Sequence, residues 1–112
     1  MLIERIDTDY VHMTNAQVAV EKYTDSTLAL MASDVDENGY PDDETFSVNL
    51  TAYGFEPEDG CVFIKDDSEH LGLAKALADL GLGEVISTFY YGPFRVRAHE
   101  FKLADTLLEE VR

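Results

Sequence analysis

The sequence predicts an α+β fold, an antiparallel sheet of about five strands with one central helix packed on a face. Three observations predict it. Phe46, Val48 and Leu50 alternate with Thr45, Ser47 and Asn49 in a period of two, the mark of a half-buried strand. Leu73, Leu77 and Leu80, with Ala74 beside them, form an apolar stripe at helical spacing. The apolar runs are joined by short polar turns, as at 24–27, which suit an antiparallel meander.

The elements follow in order. Residues 17–23 alternate weakly and read as a strand, 28–33 are a second apolar run, and 45–50 complete a meander. Residues 54–60 are a loop. The run 61–65, rich in strong β-formers, is a short strand. The helix is expected over about 69–80. Asp66 or Asp67 would cap its N-terminus, and Glu69 adds negative charge where the dipole favours it. Gly81 suits the left-handed residue after the helix, and Leu82 can fold back on the last turn. His70, in the first turn, is expected at the surface. Residues 84–91 and 94–101 read as two strands around Gly92-Pro93. Phe94, Val96 and Ala98 then share one face, and Arg95, Arg97 and His99 the other. Leu107, Leu108 and Val111 allow a short C-terminal helix.

A chain of 112 residues suits one domain, residues 1–112. Its single cysteine, Cys61, cannot make an internal disulfide. Glu4, Arg5, Asp7 and Asp9 stand where a signal peptide needs an apolar core. The longest apolar run, 28–32, is far short of a membrane span. The expected location is cytoplasmic.

Charge is the unusual property. There are 23 acids against 8 bases, a net −15. Twelve of the acids fall between Asp34 and Glu69, with Lys65 the one base among them. Such a field repels phosphate, which argues against direct nucleic-acid or anionic-membrane binding, and it attracts a basic surface. It also serves solubility with no partner at all.

The stretch DVDENGYPDDET at 34–45 resembles the start of a calcium loop. Asp34, Asp36, Asn38, Gly39 and Asp42 match positions 1, 3, 5, 6 and 9 of such a loop. Position 12, which needs a bidentate glutamate, is Thr45, and Glu44 comes one place early. The flanks read as strands, and Asn38-Gly39 is a strong hairpin dipeptide. The stretch is therefore expected to turn the chain, with no metal site. Cys61 opens an apolar strand with no activating neighbour in sequence and reads as a buried structural thiol. His12, His70 and His99 lack zinc spacing. Gly81-Leu-Gly83 lacks the third glycine of a dinucleotide loop. No catalytic residue, cofactor or metal ligand is assigned. Tyr90 and Tyr91, as consecutive strand residues, must point to opposite faces, and tyrosines are common interface anchors.

Several stretches together resemble a small uncharacterised bacterial family of unknown function, found on conjugative plasmids, integrated elements and phages. The resemblance runs over about residues 15–103. It rests on an N-terminal strand pair, the turn at 37–41, the strand TFSVNL at 45–50, the segment FIKDDSE at 63–69 and the LGLG stop at 80–83. It brings no catalytic residues. It implies a setting among mobile-element accessory genes, where acidic proteins that disarm host defence are frequent.

The expected function is a non-enzymatic acidic binding protein that mimics nucleic acid, of the anti-restriction or anti-CRISPR type. Its partner is a basic, nucleic-acid-binding surface of a host protein. The expected contact residues are Asp34, Asp36, Glu37, Asp42, Asp43, Glu44, Glu56, Glu58, Asp59, Asp66, Asp67, Tyr90 and Tyr91. The alternatives are a calcium-binding module at 34–44 and an interaction domain with no charge-mediated role. A small enzyme ranks last.

Overall fold

The computed structural model describes residues 1–35 and 38–111. The fold is α+β, with seven strands and two short helices among the described residues. Strands β1 (Leu2–Asp7), β2 (His12–Lys22), β3 (Leu28–Val35) and β4 (Pro41–Thr45) form an antiparallel meander in chain order. Strands β5 (Cys61–Lys65), β6 (Gly83–Tyr91) and β7 (Val96–Leu103) form a second antiparallel sheet, with β7 in the middle. Helix α1 (Leu73–Asp79) precedes β6, and α2 (Asp105–Leu108) closes the chain with a 3-10 turn, Glu109–Val111. No helix among the described residues is long and apolar enough to cross a membrane.

Two sheets replace the single sheet expected. Ile3 and Ile6, the inward residues of β1, are three apart, so a period-two reading does not see this strand. The third strand also sits earlier than its alternation suggests. Pro41 opens β4 at the sheet edge, where its missing N–H is tolerated. Past Thr45 the regular ladder stops. Phe46 still donates to the Leu30 carbonyl at 2.8 Å, and Val48 donates to Phe63 at 2.9 Å. That bridge is the backbone joint between the sheets. Ser47 breaks the alternation because it is buried for its hydroxyl. Its Oγ accepts from the Leu30 amide at 2.9 Å and bonds the Tyr23 hydroxyl at 2.8 Å.

The second sheet is covered on both faces. Val62, Ile64, Phe101 and Leu103 face the main core, with Leu73 and Leu77 of α1 and Val18, Val20 and Leu30 of the first sheet. Phe63 and Ala98 face the other way, into a smaller cluster with Leu50, Phe55, Phe89 and Tyr91. This explains the unbroken apolar run at 61–64, since a strand buried on both sides has no polar face to show.

The helix is shorter than expected. Asp67 does cap, accepting from the Ser68 amide at 2.7 Å, but what it caps is a 3-10 turn, Ser68–His70. The chain then breaks at Gly72 before α1 begins. His70 is not on the surface, being only 6% exposed. Its Nε2–H donates to Glu44 at 3.0 Å, and its ring meets Phe46 edge-on. Those two contacts draw residue 70 inward and end the turn. At the far end Gly81 adopts φ 81°, and Leu82 donates to the Leu77 carbonyl at 3.1 Å, a Schellman stop. Leu82 takes the buried place and Leu80 is exposed.

Asp25 staples the turn between β2 and β3 to the segment that links the sheets. Its carboxylate accepts from the Thr27 amide (3.0 Å) and hydroxyl (2.6 Å), from Asn49 Nδ2 (2.9 Å) and from Thr51 Oγ1 (3.3 Å). The Thr27 hydroxyl first, then Asn49, hold its carboxyl down to about 2. A carboxyl lowered on folding stabilises the fold above its ordinary value near 4 and loses that contribution as pH falls toward 2. Asp25→Ala is therefore expected to be less stable than the parent at pH 7, with the difference closing between pH 4 and pH 2. Urea denaturation across that range checks it, and a difference that persists undiminished at pH 2 refutes it.

Candidate functional site

The acids expected to act together occupy two ends of the molecule. Asp34 and Asp42 are opposed across the β3–β4 ladder, next to Ser33 and Asp43. The exposed Asp42 and Asp43 form no ion pair among the described residues. Asp34 is half-buried and accepts from the Thr14 amide at 3.3 Å. Beside this hairpin lies a concavity of about 540 Å3, whose lining includes Leu2, Gln17, Asp34, Pro41 and Asp43. Asp36 and Glu37, the remaining acids of the stretch, lie outside the described residues. The stretch thus joins two paired strands, with Gly39 at φ 83° in the turn, and no helix flanks it.

Glu56, Glu58 and Asp59 are exposed on the loop before β5. Part of that loop, Pro57 to Gly60, shares a concavity of about 360 Å3 with Lys22 and Thr27, at the β2–β3 end of the first sheet. The length of β3, about 24 Å at roughly 3.4 Å per residue, separates this loop from Asp34. Cys61 borders the same concavity and is buried. Burial, and then the negative charge of Glu100, push its thiol up to about 11, so it is no nucleophile at neutral pH.

Three other acids are already engaged. Glu44 holds His70, and Asp67 caps the 3-10 turn. Asp66 sits at the end of β5, where its Oδ1 accepts from the Gly72 amide at 2.9 Å. Its Oδ2 meets His99 Nε2 at 2.7 Å and Arg97 Nε at 3.2 Å. Partial burial works to raise the Asp66 carboxyl, but the Gly72 amide, His99 and Arg97 together hold it below the usual range. His99 Nδ1 in turn lies 2.9 Å from the Thr88 hydroxyl on β6. In a neutral ring whose Nε2–H goes to the carboxylate, Nδ1 accepts and Thr88 donates.

Hydroxyl, imidazole and carboxylate thus stand in relay order, a grouping that sequence spacing did not reveal. Its partners are set by register, which brings Asp66 alongside Arg97 and Thr88 opposite His99. Asp66 also neutralises Arg97 and anchors the start of α1, so it is tied into the scaffold. Neither the concavity beside the β3–β4 hairpin nor the one at the β2–β3 end is lined by Thr88 or His99.

No family model matches the chain, and no curated protein or solved structure matches it. The roles of these residues therefore rest on their geometry.

The two tyrosines do face opposite ways. Tyr91 packs into the smaller cluster, 5.2 Å from Tyr53 between ring centroids, and burial raises its hydroxyl above the ordinary value. Tyr90 is 50% exposed, and the Arg95 guanidinium lies 5.5 Å over its ring. Arg95 does not continue the face of Arg97 and His99. It sits in the turn at φ 50°, before β7 begins. Phe94, at the tip of that turn, is 90% exposed.

Proposed function

We propose that this chain is a non-enzymatic binding protein whose acidic edge occupies a basic surface of another protein, one built to hold nucleic acid. The observation that carries the reading is β4, an edge strand with three consecutive acids, Asp42, Asp43 and Glu44, two of them exposed. A strand rises about 3.4 Å per residue, and one DNA strand carries one phosphate per roughly 3.4 Å of axis. The linear charge density of β4 therefore matches that of a phosphate backbone, although its acids alternate between faces. Exposed carboxylates without internal partners keep their full field for an incoming base, and displaced counterions would help association as they do for DNA. Asp34 extends the surface, while Glu56, Glu58 and Asp59 could serve only a partner large enough to reach the other end. Asp66 and Asp67 contribute charge but not free carboxylates. A partner surface built to hold nucleic acid fits a cytoplasmic inhibitor of host defence, of the anti-restriction or anti-CRISPR type.

Asp42→Asn with Asp43→Asn removes two charges and keeps shape, and it spares Glu44, which is needed by His70. The melting temperature is expected to hold or rise as self-repulsion falls. Capture of a nucleic-acid-binding protein from host lysate should weaken, with a shallower dependence on salt, and duplex DNA should compete with the parent chain for that protein. Equal capture with the same salt dependence would reduce the acids to a solvated surface.

A further inference from the structure

We infer that the outer edge of β6 is a dimerisation surface, where two copies of this chain pair antiparallel about a twofold axis. Only one side of β6 is bonded, to β7, and no described strand covers the other. An open edge is a template for a further strand, and proteins usually blunt it with charge or proline. The edges of the first sheet are blunted in this way. β1 carries Glu4, Arg5 and Asp7, and β4 carries Pro41, Asp42 and Asp43. β6 reads GEVISTFYY, with one charge and no proline. Its single protection is the bulge between Val85 and Ser87, beyond which residues 87–91 pair regularly. Ile86, at the bulge, is 41% exposed, and Val85 and Tyr90 are exposed beside it.

A second copy fits this edge by charge and by shape. The chain is strongly acidic overall, but residues 83–103, from the start of β6 to the end of β7, hold three bases, Arg95, Arg97 and Lys102, against two acids, Glu84 and Glu100. Two copies repel each other least along this segment. The strand also has unlike ends. Its start carries Glu84 and a concavity of about 420 Å3, lined by Gly81, Gly83, Leu103 and Asp105 among others. Beyond its end project Arg95 and the exposed ring of Phe94. Antiparallel pairing carries the 92–95 turn of each copy past the start of β6 in the other. Phe94 then reaches the neighbour's concavity, and Arg95 reaches its Glu84 and Asp105. Because the operation is twofold, each contact is made twice and the assembly closes at two chains.

Sedimentation equilibrium of the whole chain over micromolar to millimolar concentration tests this. A monomer–dimer equilibrium is expected, with hydrogen exchange in residues 84–91 slowing as the dimer fills. Ile86→Lys places a charge in the pairing edge, and Phe94→Ala removes an exposed ring without touching the core. Each should weaken the dimer by about tenfold or more, with unchanged far-ultraviolet circular dichroism. Glu84→Arg and Arg95→Glu should each weaken it too, and the double variant should recover much of the loss. A monomer at every concentration overturns the inference. So does a dimer indifferent to Ile86→Lys and Phe94→Ala, which would place the contact elsewhere.

Discussion

Phe46→Ala is expected to cost about 3–5 kcal/mol, a large part of the total stability of a domain this size. The ring is fully buried at the point where the chain leaves the first sheet for the second. Its edge-on contact with His70, at 6.4 Å between centroids, helps hold a buried imidazole whose Nδ1 has no hydrogen-bond partner among the described residues. Truncation removes the packing atoms and leaves a cavity beside that nitrogen. The loss does not depend on water entering, because the atoms that line an empty space lose their contacts outright. Phe46→Leu keeps most of the volume and should cost under about 1.5 kcal/mol. Urea denaturation gives both values. A loss below about 1 kcal/mol for the alanine variant would mean that the two sheets do not meet across this ring.

Gly83→Ala is the second large effect. A Cβ at this position would fall on the Lys102 carbonyl oxygen and on the edge of the Phe101 ring, 2.9 Å from Cζ and nearer still to Cε1. Neither can yield cheaply. The carbonyl belongs to the central strand β7, and Phe101 is fully buried. Overpacking of this kind costs about 1–3 kcal/mol and at times more, and backbone contact puts this site at the upper end. The damage should be local as well, with Glu84 and Val85 losing protection against hydrogen exchange. Gly81→Ala is the control. A Cβ there meets nothing within 4 Å, so only the strain of a left-handed residue is added, about 1–2 kcal/mol. Equal destabilisation by the two variants would refute the steric account of Gly83.

Two strands of the first sheet, β2 and β3, were legible from the sequence because they pair as chain neighbours across a turn of familiar chemistry, whereas β1 was missed and β4 was placed too late. The Gly81 stop and the fold-back of Leu82 were legible for the same reason, since they are local. What was not legible depends on distant contacts. Ser47 sits inward because Tyr23 and the Leu30 amide are there to meet its hydroxyl. His70 is buried because Glu44, far along the chain, accepts a hydrogen bond from its Nε2–H. The split into two sheets follows from residues 46–60, which leave the ladder of the first sheet after Phe46 and Ser47 and bridge to the second at Val48. The candidate surface divided in the same way. The acids were visible, and a cap at Asp66 or Asp67 was expected, but no spacing told that Glu44 holds His70 and that Asp66 holds His99 and Arg97 while Asp42 and Asp43 stay free.

The strand order of the second sheet has a consequence for synthesis on the ribosome. The first sheet can assemble as it emerges, each hairpin closing on the one before, because its contacts are local. β5 cannot follow that course. Its central partner β7 is made only after α1 and β6, so a strand destined to be buried on both faces must wait with the Val48 bridge as its one strand pairing. In that interval it is an adhesive segment, the kind that chaperones hold and aggregates recruit. A ribosome stalled between Lys65 and Val96 would release a chain whose first sheet is complete and whose most apolar strand is bare, and proteolysis or aggregation would compete for it.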